Sequence, residues 1–144
     1  MKALIFLAVL VTTAVSLPSA IADERNARCA TPDFEREYEI SRAVFIGTVK
    51  KAREDGDRKI FEFKVEKYWK GVEESSVTVT VHENPRFEAQ FAEGGRFLVF
   101  AKSDEQGGLV DGRCSRSKDL DKFAEGAEED LRKLGPAKPA PEKP

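Results

Sequence analysis

The sequence has very few of the residues that build catalytic and metal centres. Among its 144 residues there are one His and two Cys, and no CxxC pair occurs. A structural zinc site needs a set of four such ligands, so we do not expect zinc. The only histidine, His82, has no recognisable nucleophile or second base beside it, and we expect an exposed turn residue. The sequence therefore predicts no catalytic residues, no metal and no cofactor: it is not the sequence of an enzyme.

An excess of positive charge is also missing. The chain has 24 Lys and Arg against 26 Asp and Glu, with the signs mixed along the sequence. Nucleic-acid-binding proteins usually present a basic stripe, so this balance argues against nucleic acid as a partner. The acidic residues Glu125, Glu128, Glu129 and Asp130 lack the glycine and spacing of a calcium loop, and we interpret them as a solvated helix face.

Long hydrophobic runs are absent except at the start of the chain. Residues 1–22 have the pattern of a signal peptide, with Lys2, an apolar run and the small-x-small end Ala20–Ala22. A membrane anchor is the rival reading, but the run is shorter than the ~20 residues of a span. We predict an exported protein, extracellular or periplasmic, with no membrane span after signal removal and an arm over residues 23–28. The polar residues before Cys29 argue against a lipoprotein.

The two cysteines, Cys29 and Cys114, allow one intramolecular disulfide. Cysteines of exported proteins usually pair, because the compartment is oxidising. On the chain-entropy model, a bridge that closes so long a loop stabilises the fold by about 4–5 kcal/mol. Two free or metal-binding thiols are the alternative.

Strand patterns dominate the rest of the chain. "AVFIGTVKKA" carries Gly47 at a position that indicates a bulge, and "KIFEFKVEKYWKG" and "SSVTVTVH" alternate apolar with polar residues. "GGRFLVFAK" is nearly all apolar, which indicates a strand covered on both faces, and "GGLVDGRC" predicts a short last strand. We predict a mainly β domain over residues 29–134: a small five-stranded OB-fold-like barrel with a short N-terminal and a longer C-terminal helix.

Two helices and a tail complete this prediction. Thr31 and Pro32 are suited to begin the first helix, and Ser117 to cap the second, which we expect to end at Leu134. An apolar stripe supports the second helix: Leu120, Phe123, Ala124, Ala127, Leu131 and Leu134. We predict that residues 135–144 form an extended, mobile, proline-rich tail that has no core to join. Tyr68 and Trp69 suggest either a stacking patch for a base or sugar, or rings that close the barrel, and we favour the second.

The order of several short patterns resembles one known family. "RAVFIGTV", "FEFKVEKYWKG", "VTVTV", "FAEGGRFLVFA" and "DGRCSR" follow one another as in the netrin-like module of the tissue inhibitors of metalloproteinases and their bacterial relatives. The resemblance covers residues 29–134 and implies a secreted, disulfide-bonded OB-fold module that binds another protein, with a metalloprotease as the family-implied partner.

The sequence departs from this family at the residues used for inhibition. Inhibitory members begin with a Cys-x-Cys pair, and the first cysteine chelates the zinc of the target. Cys29 resembles the second cysteine of that pair and Cys114 its usual partner, but Ala27 stands where the first would be. Zinc-chelating inhibition is therefore doubtful, and we expect Cys29 to be a structural staple.

The resulting hypothesis is a secreted, non-catalytic protein-binding module. Its contact residues are expected around the bridge: Cys29, Ala30, Thr31, Pro32, Ser115 and Arg116, with the connector Pro85–Ala89 as a possible extension. The alternative is an envelope-associated adaptor without inhibitory activity, in which the proline-rich tail is a tether. A barrel for nucleic acid or sugar is a third reading, weakened by the acidic balance.

Overall fold

A computed structural model describes residues 30–82, 90–112 and 114–143. Within these ranges there are two helices, α1 (Phe34–Ile40) and α2 (Ala124–Leu134). The strands are β1 (Ala43–Asp55), β2 (Arg58–Lys70), β3 (Ser76–His82), β4 (Arg96–Ser103), β5 (Leu109–Asp111), β6 (Lys118–Asp119) and β7 (Lys138–Pro139).

The first five strands close into a barrel. β1 pairs antiparallel with both β2 and β4, and β2 continues antiparallel to β3. β3 then pairs in parallel with β5, and β5 returns antiparallel to β4. Every strand of this ring has two neighbours, so the predicted five-stranded, OB-fold-like barrel is confirmed.

Gly47 forms the bulge that the sequence indicates. The register between β1 and β2 shifts between Ile46 and Gly47. A Cβ at this position would lie 2.9 Å from the carbonyl oxygen of Lys64, which is closer than side-chain carbons normally approach backbone. Glycine at this position allows the long first strand to bend, so that β1 can pair with both β2 and β4.

The barrel is filled by aromatic and branched side chains. Its interior holds Phe45, Phe61, Phe63, Phe91 and Phe97 with several valines, and the rings meet edge to face. A second cluster lies outside the barrel wall, under the helices: Phe34, Val44, Ile46, Leu98 and Phe100. β4 contributes to both clusters, which confirms the prediction that this strand is covered on both faces.

Both helices begin later than predicted. Asp33, not Thr31, caps α1, because its carboxylate accepts the backbone N–H of Arg36 at 3.1 Å. The second helix starts at Ala124 rather than after Ser117. Lys118 and Asp119 instead extend along β4 as strand β6, and the Asp119 carboxylate accepts two backbone N–H groups of the following turn.

The predicted apolar stripe of α2 is only partly correct. Leu120, Leu131 and Leu134 pack against the outer cluster, and Ala127 is buried. Phe123 is 62 % exposed, because it lies at the N-cap position, before the helical turn that would direct it inward.

The prediction that the proline-rich tail has no core to join is wrong. Lys138 and Pro139 pair as β7 with Tyr68 and Lys67 of β2. Ala140 packs against the barrel core, and its N–H donates to the carbonyl of Glu66 at 3.2 Å. The tail follows the edge of β2 where β3 no longer pairs with it.

Several predictions lie outside the described residues. They are the signal peptide, the arm 23–28, Cys29 and the connector Pro85–Ala89. Among the residues that are described, no helix is long and apolar enough to cross a membrane.

Candidate protein-binding surface

Arg116 brings the two parts of the predicted contact region together. Its guanidinium Nη1 donates to the carbonyl oxygen of Pro32 at 2.6 Å, across 84 positions of sequence. The segment before α1 and the loop after β5 are therefore adjacent, as the hypothesis requires. We call the surface formed by Ala30, Thr31, Pro32, Ser115 and Arg116 the N-terminal surface.

The other side of the Arg116 guanidinium is fixed by Asp130 of α2. Nε and Nη2 donate to the two carboxylate oxygens, and Lys118 of β6 donates to the same carboxylate at 2.7 Å. Asp130 is completely buried, and the side chain of Arg116 is 11 % exposed. The two cations compensate the desolvation of the carboxylate, which would otherwise be costly.

Our interpretation of Asp130 as part of a solvated helix face is wrong. Glu125, Glu128 and Glu129 are exposed, but Asp130 lies three residues after the buried Ala127 and shares its face. The three-residue spacing from Ala127 is the sequence feature that indicates burial of Asp130. Nothing in the local sequence points to its partners, because they come from the loop after β5 and from β6.

Phe34 forms the base under this ion-pair cluster. The Arg116 guanidinium lies 5.7 Å from the centroid of its ring, and the ammonium of Lys133 lies 5.2 Å from it. Tyr38 stacks on the same ring with centroids 6.3 Å apart. Cations over an aromatic face are attracted by its quadrupole, so Phe34 helps to hold both elements against α1.

A second polar cluster lies under the loop after β5, around Asp111. This carboxylate accepts from the hydroxyl of Ser117, from Nε2 of Gln90 at 2.9 Å and from the backbone N–H of Gly112 at 2.7 Å. Gln90 Nε2 also lies 3.4 Å from the hydroxyl of Ser115. These hydrogen bonds hold the loop that carries Ser115 and Arg116 against the barrel.

Burial raises the pKa of Asp111 to about 6, despite the opposing hydrogen bonds from the two serines and Gly112 and the charge of Lys102. Lys102 has a closer partner, since its ammonium donates to the buried carboxylate of Glu37 at 2.8 Å. Asp111 therefore has no dedicated counter-ion among the described residues.

The outer part of the N-terminal surface faces solvent. Ala30 and Thr31 are exposed, while Pro32 and Ser115 are half-buried. Cys114 is an exposed turn residue, and no described cysteine is free. The predicted partner, Cys29, lies outside the described residues, so the Cys29–Cys114 pairing stays a prediction.

The polar side chains near this surface are engaged in holding the fold. The Ser117 hydroxyl donates to Asp111 and accepts from the backbone N–H of Phe100 at 2.8 Å. His82 is exposed at the end of β3, and its Nδ1 lies 3.7 Å from a carboxylate oxygen of Asp57. The described residues contain no cluster of three or more His, Cys, Asp or Glu side chains arranged to hold a metal ion.

The aromatic pair Tyr68 and Trp69 takes part in packing. Tyr68 contacts the barrel core and Trp69 the outer cluster. The Trp69 indole N–H donates to the carbonyl of Gly135, directly after α2, at 2.9 Å. Both rings thus take part in packing, the kind of role that we favoured, and Trp69 also fixes the end of α2.

No protein-family model matches this sequence, and a search of curated proteins finds no match either. The resemblance to the netrin-like module of metalloproteinase inhibitors stays a prediction.

Proposed function

We propose that this chain is an exported, non-catalytic protein-binding module that contacts its partner through the N-terminal surface. The observation that carries the proposal is the position of Arg116, which donates to Pro32 on one side and to the buried Asp130 on the other. An exposed segment is thereby tied to a rigid barrel.

A segment held in this way is suited to recognition. Thr31 and Ala30 face solvent, while Pro32 has no backbone N–H and a fixed φ. A contact segment that is already ordered loses less conformational entropy on binding, and this favours affinity. The predicted disulfide at Cys29 would add a second anchor at the start of the same segment.

The hydroxyl groups beside the surface favour a binding role over a catalytic one. A serine nucleophile needs a base positioned to take its proton. Ser117 donates to Asp111, but this carboxylate also receives the Gln90 amide and the Gly112 N–H. The chain's single histidine contacts Asp57 of the β1–β2 turn instead.

Among protein partners, a metalloprotease is the candidate that the family resemblance implies. Inhibition by zinc chelation is not part of the proposal, because Ala27 replaces the cysteine that would supply the amine. A contact with the protease surface outside its zinc site needs only the exposed segment of the N-terminal surface. The adaptor alternative loses support, because the tail it would use as a tether is docked on β2.

The experiment compares the wild-type exported protein with Thr31→Arg, which places a bulky charge on the N-terminal surface. Thr78→Arg is the matched control, since Thr78 is an exposed threonine of β3. Both are assayed against a panel of zinc metalloproteases, and intact mass measured before and after reduction tests signal cleavage and the disulfide. Inhibition or complex formation that Thr31→Arg lowers at least tenfold, and Thr78→Arg leaves unchanged, is the expected result. Equal effects of the two changes would contradict the proposed surface.

A further inference from the structure

The barrel has a strand edge that is filled by the chain's own proline-rich segment. β3 pairs with β2 from Arg58 to Lys64, and its pairing ends at Ser76. Beyond this point β2 continues for six residues to Lys70. Residues 138–143 take over that side of β2, and we call them the strap.

The strap is bound as an added strand. It runs antiparallel to β2, with Lys138 opposite Tyr68 and Pro139 opposite Lys67. The N–H of Ala140 donates to Glu66, and the carbonyl of Lys143 accepts the N–H of Ser75 at 3.0 Å. This is the geometry in which sheets bind extended peptides, where backbone bonds give affinity and side-chain pockets give specificity.

Two side-chain contacts give this edge a preference for particular residues. Ala140 packs against the barrel core, so the position favours a small apolar side chain. The ammonium of Lys138 lies 5.8 Å from the centroid of the Tyr68 ring, within the range of a cation–π contact. The edge therefore accommodates the sequence Lys–Pro–Ala of residues 138–140.

The same contacts are few enough to be exchanged. The paired stretch is two residues long, and both Lys138 and Pro139 are exposed. Pro139 and Pro141 have no N–H to donate to the sheet. Proline-containing segments lose little entropy when they bind in extended form, so a second segment of the same pattern can compete.

We propose that the edge of β2 from Glu66 to Tyr68 is a strand-addition site for an extended peptide of a partner protein with a Lys–Pro–small–Pro pattern. The strap occupies this site as an internal competitor and keeps the edge covered until such a peptide is present. The site is separate from the N-terminal surface, and either can fail without the other.

The test uses the full chain and a labelled peptide with the sequence of residues 136–143, PAKPAPEK. Ala140→Asp places a charge in the core-packed position and releases the strap. Ala124→Asp makes the same change at an exposed position of α2 and is the control. Binding is followed by fluorescence anisotropy, and circular dichroism checks that both variants are folded.

We expect Ala140→Asp to bind the peptide at least tenfold more tightly than the wild type and Ala124→Asp, because the tethered competitor is removed. A peptide carrying Asp in place of the residue equivalent to Ala140 should not bind. Equal affinity for all three chains, or no binding to any, would overturn the proposal.

A second measurement does not depend on the variant. In the wild-type chain, millimolar peptide should move the amide NMR signals of Lys138 and Ala140 towards free-chain values, as the strap is displaced. Unchanged signals would overturn the proposal. A wild-type dimer that dissociates on addition of the peptide would identify the strap of a second copy as the occupant, and would overturn the assignment to a different protein.

Discussion

The guanidinium of Arg116 donates to both carboxylate oxygens of Asp130, a residue with no solvent exposure. Through this pair, α2 is joined to the loop after β5, and through the Pro32 carbonyl the same arginine joins the segment before α1. Three parts of the chain that are distant in sequence thus depend on one side chain.

Replacing Arg116 by Met should destabilise the fold by about 2–4 kcal/mol, because Lys118 would be the one remaining partner of Asp130 in the described part of the chain. Arg116→Lys should recover part of this loss, since it restores the charge but not the bidentate geometry. Urea unfolding of both variants and of Arg116→Met/Asp130→Leu measures the effect. The double variant should be more stable than Arg116→Met alone; if it is less stable, the buried charge is not the cause.

Asp111 predicts a specific pH dependence. Its pKa is raised from 3.8 to about 6 in the folded chain, so the folded state binds its proton more tightly than the unfolded state. The stabilisation this gives is complete below about pH 4 and is lost as the pH rises through about 6, a change of roughly 3 kcal/mol.

Asp111→Asn removes this titration and keeps the shape of the side chain. Relative to the wild type, the variant should gain stability between pH 4 and 7.5, as measured by urea unfolding at several pH values. Thr78→Ser, a change at an exposed position of β3 that alters no ionisable group, is the control and should leave the pH profile of stability as in the wild type. A difference between Asp111→Asn and the wild type that does not change with pH would contradict the burial of an isolated carboxylate.

Gly71 fixes the turn after β2 against the start of β1. Its φ is +66°, and a Cβ would lie 1.8 Å from the carbonyl oxygen of Arg42. Gly56 has a similar φ of +64° but open space around it. Gly56→Ala should cost about 1–2 kcal/mol from backbone strain alone. Gly71→Ala should cost clearly more in thermal or urea unfolding, and equal losses would show that the contact with Arg42 does not matter.

Trp69 of β2 holds the segment between α2 and the strap through its bond to the carbonyl of Gly135. Trp69→Phe removes this bond and should destabilise the region by about 1 kcal/mol. Hydrogen exchange at the amides of Ala140 and Ser75 should become faster, because the segment that leads from α2 into the strap is no longer held. Tyr68→Phe keeps the neighbouring ring and is the control, in which exchange should stay close to the wild type.

The barrel could be predicted from the sequence because its strands carry local patterns. The alternation around Phe63 and the apolar run around Val99 each reflect burial within one strand, and Gly47 marks the bend. These signals need no knowledge of distant neighbours.

The polar contacts that shape the candidate surface could not be predicted in the same way. Asp130 and Asp111 are buried because of partners from other elements, and an acidic residue in a polar stretch normally indicates exposure. Ser117 looks like a helix cap, but the two residues after it pair with β4 as β6, and its hydroxyl binds Asp111 and the N–H of Phe100 instead. The pairing of the strap with β2 could not be predicted, because prolines usually indicate the absence of a strand. Proline is nevertheless tolerated at the edge of a sheet, where its missing N–H is not needed.

The N-terminal surface should bind a protein partner, and site-specific photo-cross-linking in the exported protein can detect that contact. A photoreactive residue at Thr31 should form one defined cross-linked product, which mass spectrometry identifies, while the same residue at Thr78 should not. The purified partner should then bind the wild type at least tenfold more tightly than Thr31→Arg. No product at Thr31, or the same product from both positions, would contradict the claim.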